Sequence, residues 1–522
     1  MRSSHTFPGD RVLAPALVED LKKNGVDIGL ALDILDSINL SEGKGSAMFK
    51  ASGVPRIDGA RVVDLRADNL GNGKFPCDSR RYFRILDDLG WGAERIGAPH
   101  LPKEDKVVLS AEDLETLGLA LSPRCAYGVL NGGSATSYSD PKKNAVFGEA
   151  VFGLLKKDFE SLAQSCGAMP KGATPAYINP DVSRGATFLE LKMRARLLLV
   201  EEAKRRGFMA EKSLNPLPLY QMTSEATEES LARFYADAGR GPFLKILQEK
   251  LGISSAAWTG AVQPMICAFT HSSKGFPKRI FDEAYGEKDR CIPIPGGHGQ
   301  CFRVLSQTFR DLLSQGVRYA YLGNVDNIGY VPDPKELALF ALSGEPAAFE
   351  FAPRSPMDVK GGILALSAQG RMAVVDIGPA IGIEDVKELE RQGSTILFNC
   401  ATGIFDLEYL VPRLDSISRE LPLRVSDQDK APGLYSQAEQ ITWEVTEILP
   451  SFLAFAVDKR KRFLAAKLLA DTLLTSGVGI SSDAMPQGLR ETAMAMHAGL
   501  KDLLSGTFAL KRSNGRWQAM EA

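Results

Sequence analysis

CAYGVLNGGSATSYSDPKKN, residues 125–144, decides how the chain reads as a fold. Its opening residues, Cys125, Ala126, Tyr127, Gly128, Val129 and Leu130, form an unbroken apolar run, as expected of a short strand buried within a parallel sheet. Gly132 and Gly133 follow directly. They predict backbone at positive φ and a close approach of a ligand to main-chain N–H groups that a Cβ would shield. Lys142 or Lys143 then supplies a mobile point charge suited to phosphate. Strand, glycine turn and lysine together point to a nucleotide phosphate site, against the plainer alternative of a surface turn rich in Gly, Ser, Asp and Pro.

Working outward, 522 residues exceed one ordinary core, so roughly two or three units are expected. The chain is 44% hydrophobic and 24% charged, an ordinary balance for a soluble enzyme. Lys plus Arg, 62, nearly cancel Asp plus Glu, 64, so no overall field draws in nucleic acid or an anionic membrane. Any anion site must be local. The seven cysteines are scattered and never form a C-x-x-C pair, which argues against a disulfide framework or a zinc site and for a reducing, cytoplasmic compartment. The N-terminus has no apolar h-region, and no apolar run approaches the ~20 residues that span a bilayer.

Residues 1–105 read as an α-rich leader with Leu17, Leu21, Ile34, Leu35 and Ile38 at helical spacing and no evident chemistry. Ser110 is a candidate N-cap for a helix running to Leu119, with Glu112 and Asp113 in its first turn. After the glycine turn, Phe147, Val151, Leu154, Leu155, Phe159 and Leu162 predict a helix, and GAMPKGATPAYINPDVSRGA predicts a loop. Thr187 with Glu190 three residues on is a capping-box pattern opening a helix that ends at Lys204, Arg205, Arg206 and Gly207. A strand ending at Thr223 and Ser224, then a helix from Glu225 to Ala238, complete a strand–helix alternation that points to an open α/β sheet.

Further on, IPIPGGHGQ, residues 292–300, precedes Phe302, Leu305, Phe309, Leu312 and Leu313 on one helical face. Gly296, Gly297, His298 and Gly299 are thereby expected at a helix N-terminus, where free N–H groups favour phosphate; the alternative for His298 is a neutral, structurally satisfied ring. YAYLGNVDNIG, residues 319–329, is a buried strand ending at Asn324, Asp326 and Asn327. Beyond the carboxyl end of such a strand Asp326 can carry Mg²⁺, or simply form an Asx turn. MDVKGGIL (357–364) and FNCATGIFDL (398–407) are strand segments bearing Lys360 and Asn399. In FAVDKRKRFLAAKLLADTLL, residues 455–474, Lys467 lies between apolar pairs, from which its side chain is expected to point inward to an anion.

In their order, LNGG, the following Pro-Lys, GGHG, GNVDN, DVKGG, FN and the late lysine segment resemble the eukaryotic-type UTP–glucose-1-phosphate uridylyltransferase family, including its UDP-sugar and UDP-N-acetylhexosamine relatives. The resemblance runs from Leu130 to Leu474. It implies a Rossmann-like nucleotidyltransferase (GT-A-like) mixed central sheet flanked by helices. The catalytic domain would be 106–475, between the α-rich N-terminal region (1–105) and a short C-terminal region (476–522). By the same resemblance Leu130, Gly132, Gly133, Gln263 and Gly297 would bind the nucleotide, with Gln263 at the uracil. His298, Asn324, Asn399 and Lys360 would bind the sugar phosphate, Asp326 would hold Mg²⁺, and Lys142 and Lys467 would be the catalytic, phosphate-binding lysines. UTP and a sugar 1-phosphate are the implied partners.

Where the family has Leu-Gly-Thr-Ser-Met-Gly, this chain has Ser134, Ala135, Thr136, Ser137, Tyr138 and Ser139, which should stiffen the phosphate loop. The stretch from Lys143 to Thr187 is longer than the family's and is expected to cover the site. No C-terminal β-helix is expected, since 475–522 shows a helical pattern and one hairpin. The implied activity is uridylyl transfer from UTP to glucose 1-phosphate. UDP-N-acetylhexosamine or broad UDP-sugar synthesis, and a non-catalytic sugar-nucleotide binder, stay open as alternatives. A dinucleotide dehydrogenase is disfavoured because no G-x-G-x-x-G opens a helix after the first strand.

Overall fold

The computed structural model describes residues 13–41, 49–66, 73–92, 105–167, 169–209, 216–254, 258–355, 358 and 361–519. These fall into two compact units. The smaller comprises Met1–Met48, Gln263–Arg303 and Ser416–Ile448, and the larger Phe49–Val262, Val304–Asp415 and Leu449–Ala522. The units therefore do not follow the linear division expected at 105 and 475. The physical reason is that the strand Val62–Asp64 joins the large sheet, whereas the helices Pro15–Lys23 and Ile28–Leu40 share a core with residues of 263–303 and 416–448. Nor is the first hundred residues' described part purely helical, since residues 62–64 and 75–78 are strands.

The larger unit is organised by a mixed ten-stranded sheet. Its strands are β1 (Val62–Asp64), β2 (Cys125–Leu130), β3 (Leu219–Ser224), β4 (Trp258–Gln263), β5 (Tyr319–Asn324), β6 (Ala347–Pro353), β7 (Gly362–Leu366), β8 (Met372–Asp376), β9 (Leu397–Asp406) and β10 (Leu453–Ala456). Their order is β1-β10-β6-β9-β5-β2-β3-β4, with β7 joined to β8 and β9 off this path. Pairing is parallel at β1/β10, β10/β6, β5/β2 and β2/β3, and antiparallel on both sides of β9.

Every residue of β2 is buried, which explains its unbroken apolar composition. Gly128 is required within it: a Cβ there would lie 2.1 Å from the ring of Tyr220, whose hydroxyl donates to the Tyr321 carbonyl over 2.6 Å. Asn324 pairs in register with Leu130, and Leu130 with Met222, so the carboxyl ends of β5, β2 and β3 open side by side.

Around the sheet lie α1 (Ala111–Leu121), α2 (Glu149–Cys166), α3 (Phe188–Arg205), α4 (Glu225–Ala238), α5 (Leu469–Thr475) and α6 (Gln487–Asp502). Both N-cap readings hold. Ser110 Oγ accepts the Asp113 N–H while Asp113 accepts the Ser110 N–H, and Thr187 with Glu190 does the same on α3. Unlike an ordinary amphipathic helix, α3 also buries Lys192, Arg194 and Arg196. Their cationic ends donate to main-chain carbonyls such as Tyr330, Phe243 and Leu217, which is how buried charge is tolerated. The predicted C-terminal hairpin is present, Leu510–Ser513 against Arg516–Ala519.

The smaller unit has its own core, in which Leu17, Leu21, Leu30, Ile34 and Ile38 of helices Pro15–Lys23 and Ile28–Leu40 meet Ile266, Phe269 and Ile294. The seven cysteines are unpaired, and all but Cys77 are buried. Among the described residues no helix is long and apolar enough to cross a membrane.

Candidate functional site

β2 delivers Asn131, Gly132 and Gly133 to the open rim. Neither glycine is at positive φ, contrary to expectation. A Cβ on Gly133 would meet no atom within 4 Å, so glycine here provides bare backbone facing open space and not a left-handed turn. The Gly132 carbonyl accepts Ser224 Oγ at 2.7 Å, tying the turn to the end of β3.

The Ser134–Ser139 stretch is pinned at its buried positions. Ala135 N donates to Met169 O over 3.0 Å, and the Tyr138 hydroxyl lies 2.8 Å from Thr472 Oγ1 of α5. Asn144, buried, donates to the Tyr138 carbonyl at 2.9 Å and accepts the Ala470 N–H at 2.8 Å. Tyr138 and Asn144 thus anchor the loop to α5. Lys142 is exposed on the short Pro141–Asn144 helix, and its own N–H is capped by the Asp140 side chain at 2.9 Å.

Asp326 sits just past β5. Its own carbonyl accepts the Ala466 N–H at 3.1 Å. Next to it the buried Asn327 side chain donates to Arg462 O and accepts from Leu464 N, and Asn327 forms a β-bridge with Ala465. These bonds bring the lysine segment alongside Asp326. From α3, the Lys192 ammonium donates to the carbonyls of Asn327 and Tyr330, clamping the same loop from below. Burial pushes Lys192 well below its ordinary value, with the Asp326 charge acting against the shift. Arg462 is fixed in turn by ion pairs to the buried Glu336 and Glu350.

Lys467 does not point inward as its apolar neighbours suggested. Residues 463–468 are not helical, and its side chain is exposed while Ala466 and Leu469 are buried. Gly133, Asp326 and Lys467 nonetheless lie on one rim, joined by Lys171. Its N–H donates to Gly133 O at 3.0 Å, its Nζ stands 2.7 Å from Asp326 Oδ2, and the same Nζ lies 3.4 Å from Lys467 O.

Lys171 was missed in the sequence. It lies in the proline-punctuated part of the insertion, and its pairing spans 155 residues. The insertion does not simply cover the site: α2 packs on α5 through Leu155, Phe159, Leu162, Leu469 and Leu473, and the 3-10 turn Lys171–Ala173 carries Lys171 into the rim.

Asn324 ends β5 beside Leu130. Asn399, buried on β9, accepts the Ala401 N–H at 3.0 Å, a local Asx contact. Lys360 lies outside the described residues. Nearby Asp358 and Ser355 are bound by Lys459, and these residues border a cleft of about 520 Å³ that Phe398, Lys467 and Asp471 also line. Burial pushes the Asp471 carboxyl up to about 6, opposed by the Leu468 N–H and by Lys171 and Lys467.

The remaining candidates belong to the smaller unit. Gln263 Nε2 donates to Gly297 O at 2.8 Å and to Gln300 Oε1 at 2.9 Å. Gly297 is at φ +86, where a Cβ would strike the Gln440 carbonyl at 2.3 Å. The expected helix there is a 3-10 turn, His298–Gln300, then a four-residue helix, Cys301–Val304, broken at Leu305 before Ser306–Ser314. His298 Nδ1 accepts the Thr442 N–H at 3.2 Å and lies 2.7 Å from Thr442 Oγ1, so one ring nitrogen has a structural partner.

Could the rim hold a divalent cation? Among the described residues no three His, Cys, Asp or Glu side chains gather for one. Asp326 offers a single carboxylate: Oδ2 is taken by Lys171, and Oδ1 accepts no hydrogen bond among the described residues. One hard oxygen fits Mg²⁺, which keeps several waters and draws its other ligands from phosphates.

The sheet order and this rim define a nucleotidyltransferase-like α/β protein, the strand ends presenting bare backbone, one carboxylate and lysines. The chain belongs to the UTP–glucose-1-phosphate uridylyltransferase family, whose model matches residues 177–486. It is 27% identical over 214 residues to UTP–glucose-1-phosphate uridylyltransferase of Astragalus penduliflorus, a stretch covering 39% of this chain and 44% of that relative's length. In fold it is similar to the UDP-N-acetylglucosamine pyrophosphorylase of Trypanosoma brucei, with a TM-score of 0.57, 16% identity, and 95% and 90% of the two chains covered. A variant of UDP-glucose pyrophosphorylase from Leishmania major, solved with UDP-glucose, gives 0.53 at 16% identity over 98% and 83%.

Proposed function

We propose that this chain transfers a uridylyl group from UTP to a sugar 1-phosphate, with glucose 1-phosphate as the substrate, releasing pyrophosphate. The observation that supports it is the convergence of Gly133, Asp326 and the Lys467 backbone on one rim, linked through Lys171. In the reaction a phosphate oxygen of the sugar phosphate attacks the α-phosphorus of UTP as the bond to the bridging oxygen of pyrophosphate breaks. Both reactants are anions, so the barrier is charge repulsion and misalignment, and no protein nucleophile is needed.

The Gly132 and Gly133 backbone, beside Leu130, would admit the nucleotide closely. Lys142 and Lys467, both exposed, would meet its phosphates. Asn324 and Asn399 would line the sugar phosphate. Mg²⁺ held at Asp326 would neutralise phosphate charge when bound. A cytoplasmic location belongs to the same reading, supported by the seven unpaired cysteines.

The test is the full chain with UTP and glucose 1-phosphate, with and without Mg²⁺, following pyrophosphate. Galactose 1-phosphate and N-acetylglucosamine 1-phosphate run alongside assign the sugar by relative rate. UDP-glucose binding with no turnover on any sugar phosphate would replace the reading with a non-catalytic binder, which the anchored Tyr138 in place of a flexible loop would then explain.

A further inference from the structure

The pair Lys171–Asp326 joins two elements of different origin. Asp326 follows a core strand, whereas Lys171 arrives on the insertion. The insertion's turn is built into the rim by its backbone: Ser134 bridges Pro170, Lys171 N donates to Gly133 O at 3.0 Å, and Thr174 Oγ1 closes on Lys171 O at 2.8 Å. Gly172 keeps the turn close, since a Cβ there would lie 2.7 Å from Asn131 Oδ1 and 2.8 Å from Leu189. The backbone of Lys171 is therefore fixed, and its ammonium reaches Asp326 on a four-carbon stem of rotatable bonds. Both side chains of the pair remain partly accessible, at 15% and 14% exposure. The ammonium also lies 5.9 Å from the Tyr138 ring centroid, near the carbonyl of Lys467.

We propose that Lys171 is a tethered counter-cation of Asp326: it occupies the carboxylate until a divalent cation enters with the nucleotide, and then contacts the nucleotide's phosphates. This rests on reading the rim as a nucleotide site. The physics is competition for one carboxylate. An ammonium held at 2.7 Å opposes a bare cation, because the cation must either displace it or share the carboxylate with a like charge. An arriving triphosphate reverses the balance, offering the ammonium a more highly charged partner and the metal further oxygen ligands. Metal and nucleotide then bind with positive coupling, although each alone binds weakly.

Manganese titration of the full chain, read by loss of the free-ion electron paramagnetic resonance signal, tests this without turnover. Lys171→Met is expected to tighten Mn²⁺ binding in the absence of nucleotide by about tenfold, the scale of one removed competing charge, whereas Lys171→Arg should not. The reciprocal variant Asp326→Asn frees the ammonium, and metal-free UTP affinity measured by calorimetry should rise several-fold. An unchanged Mn²⁺ affinity in Lys171→Met, or an unchanged metal-free UTP affinity in Asp326→Asn, overturns the inference while wild type still binds UTP. If wild type binds no UTP under any metal condition, the nucleotide reading itself has failed.

Discussion

Asn327 Nδ2 donates to the Arg462 carbonyl over 2.9 Å, one of the contacts by which the loop carrying Asp326 holds the segment carrying Lys467. The same side chain accepts the Leu464 N–H at 3.0 Å and the Gly329 N–H at 3.1 Å. Asn327→Ala leaves these buried main-chain groups unpaired and should destabilise the chain by about 3 kcal/mol, at roughly 1 kcal/mol or more for each orphaned group. Asn327→Asp keeps the acceptor and should lose less. Urea unfolding midpoints of both variants check this, and an Ala variant as stable as wild type would refute it.

Lys192 acts on the other side of that loop. Its ammonium is buried and satisfied by the Asn327 and Tyr330 carbonyls, with the Tyr330 ring 4.8 Å away. Lys192→Met matches the stem and removes the donor, so both carbonyls lose their charged partner. We expect a stability loss on the order of 2 kcal/mol together with a fall in turnover, because Asp326 loses its support. Turnover unchanged at a temperature where the variant is fully folded would show that Lys192 serves stability alone.

What the sequence displayed was local or one-faced. The apolar run of β2, the capping pairs Ser110/Asp113 and Thr187/Glu190, and the helix 225–238 each follow from neighbours within a few residues. The rim residues that hold the site together follow from contacts made at long range. Lys171 meets Asp326 across 155 positions and Lys192 meets Asn327 across 135, so no spacing rule reveals either. Lys467 departs from expectation for a related reason: its flanking apolar pairs suggest an inward side chain, whereas the bonds to Asn327 hold residues 463–468 in irregular form with Lys467 exposed. Gly133 was selected for conformational freedom it does not use.

Lys467 has an exposed side chain and follows the buried Ala466, whose N–H donates to the Asp326 carbonyl. On the proposed reaction it neutralises phosphate charge at the moment of transfer. Lys467→Ala should therefore lower kcat by ~10²-fold, comparable to losing one preorganised electrostatic contact, with little change in unfolding midpoint because nothing buried is removed. Equal turnover by variant and wild type would take Lys467 out of the chemistry.

Asp471 gives the site a pH dependence with a definite sign. Burial raises its carboxyl from 3.8 to about 6. A group whose folded value is raised stabilises the fold fully below its unfolded value, and that contribution is lost as pH rises through the folded one. Between about pH 4 and pH 6 the native state therefore holds the proton the unfolded chain has released, and stability should fall by an amount on the order of 3 kcal/mol. Asp471→Asn, which can still accept the Leu468 N–H, removes the titration. Its denaturant midpoints should thus lose this downward slope, so that variant and wild type differ more at about pH 7 than at about pH 4, with the variant the more stable at the higher value. Parallel pH profiles for the two proteins would mean that Asp471 titrates at an ordinary value in the folded chain.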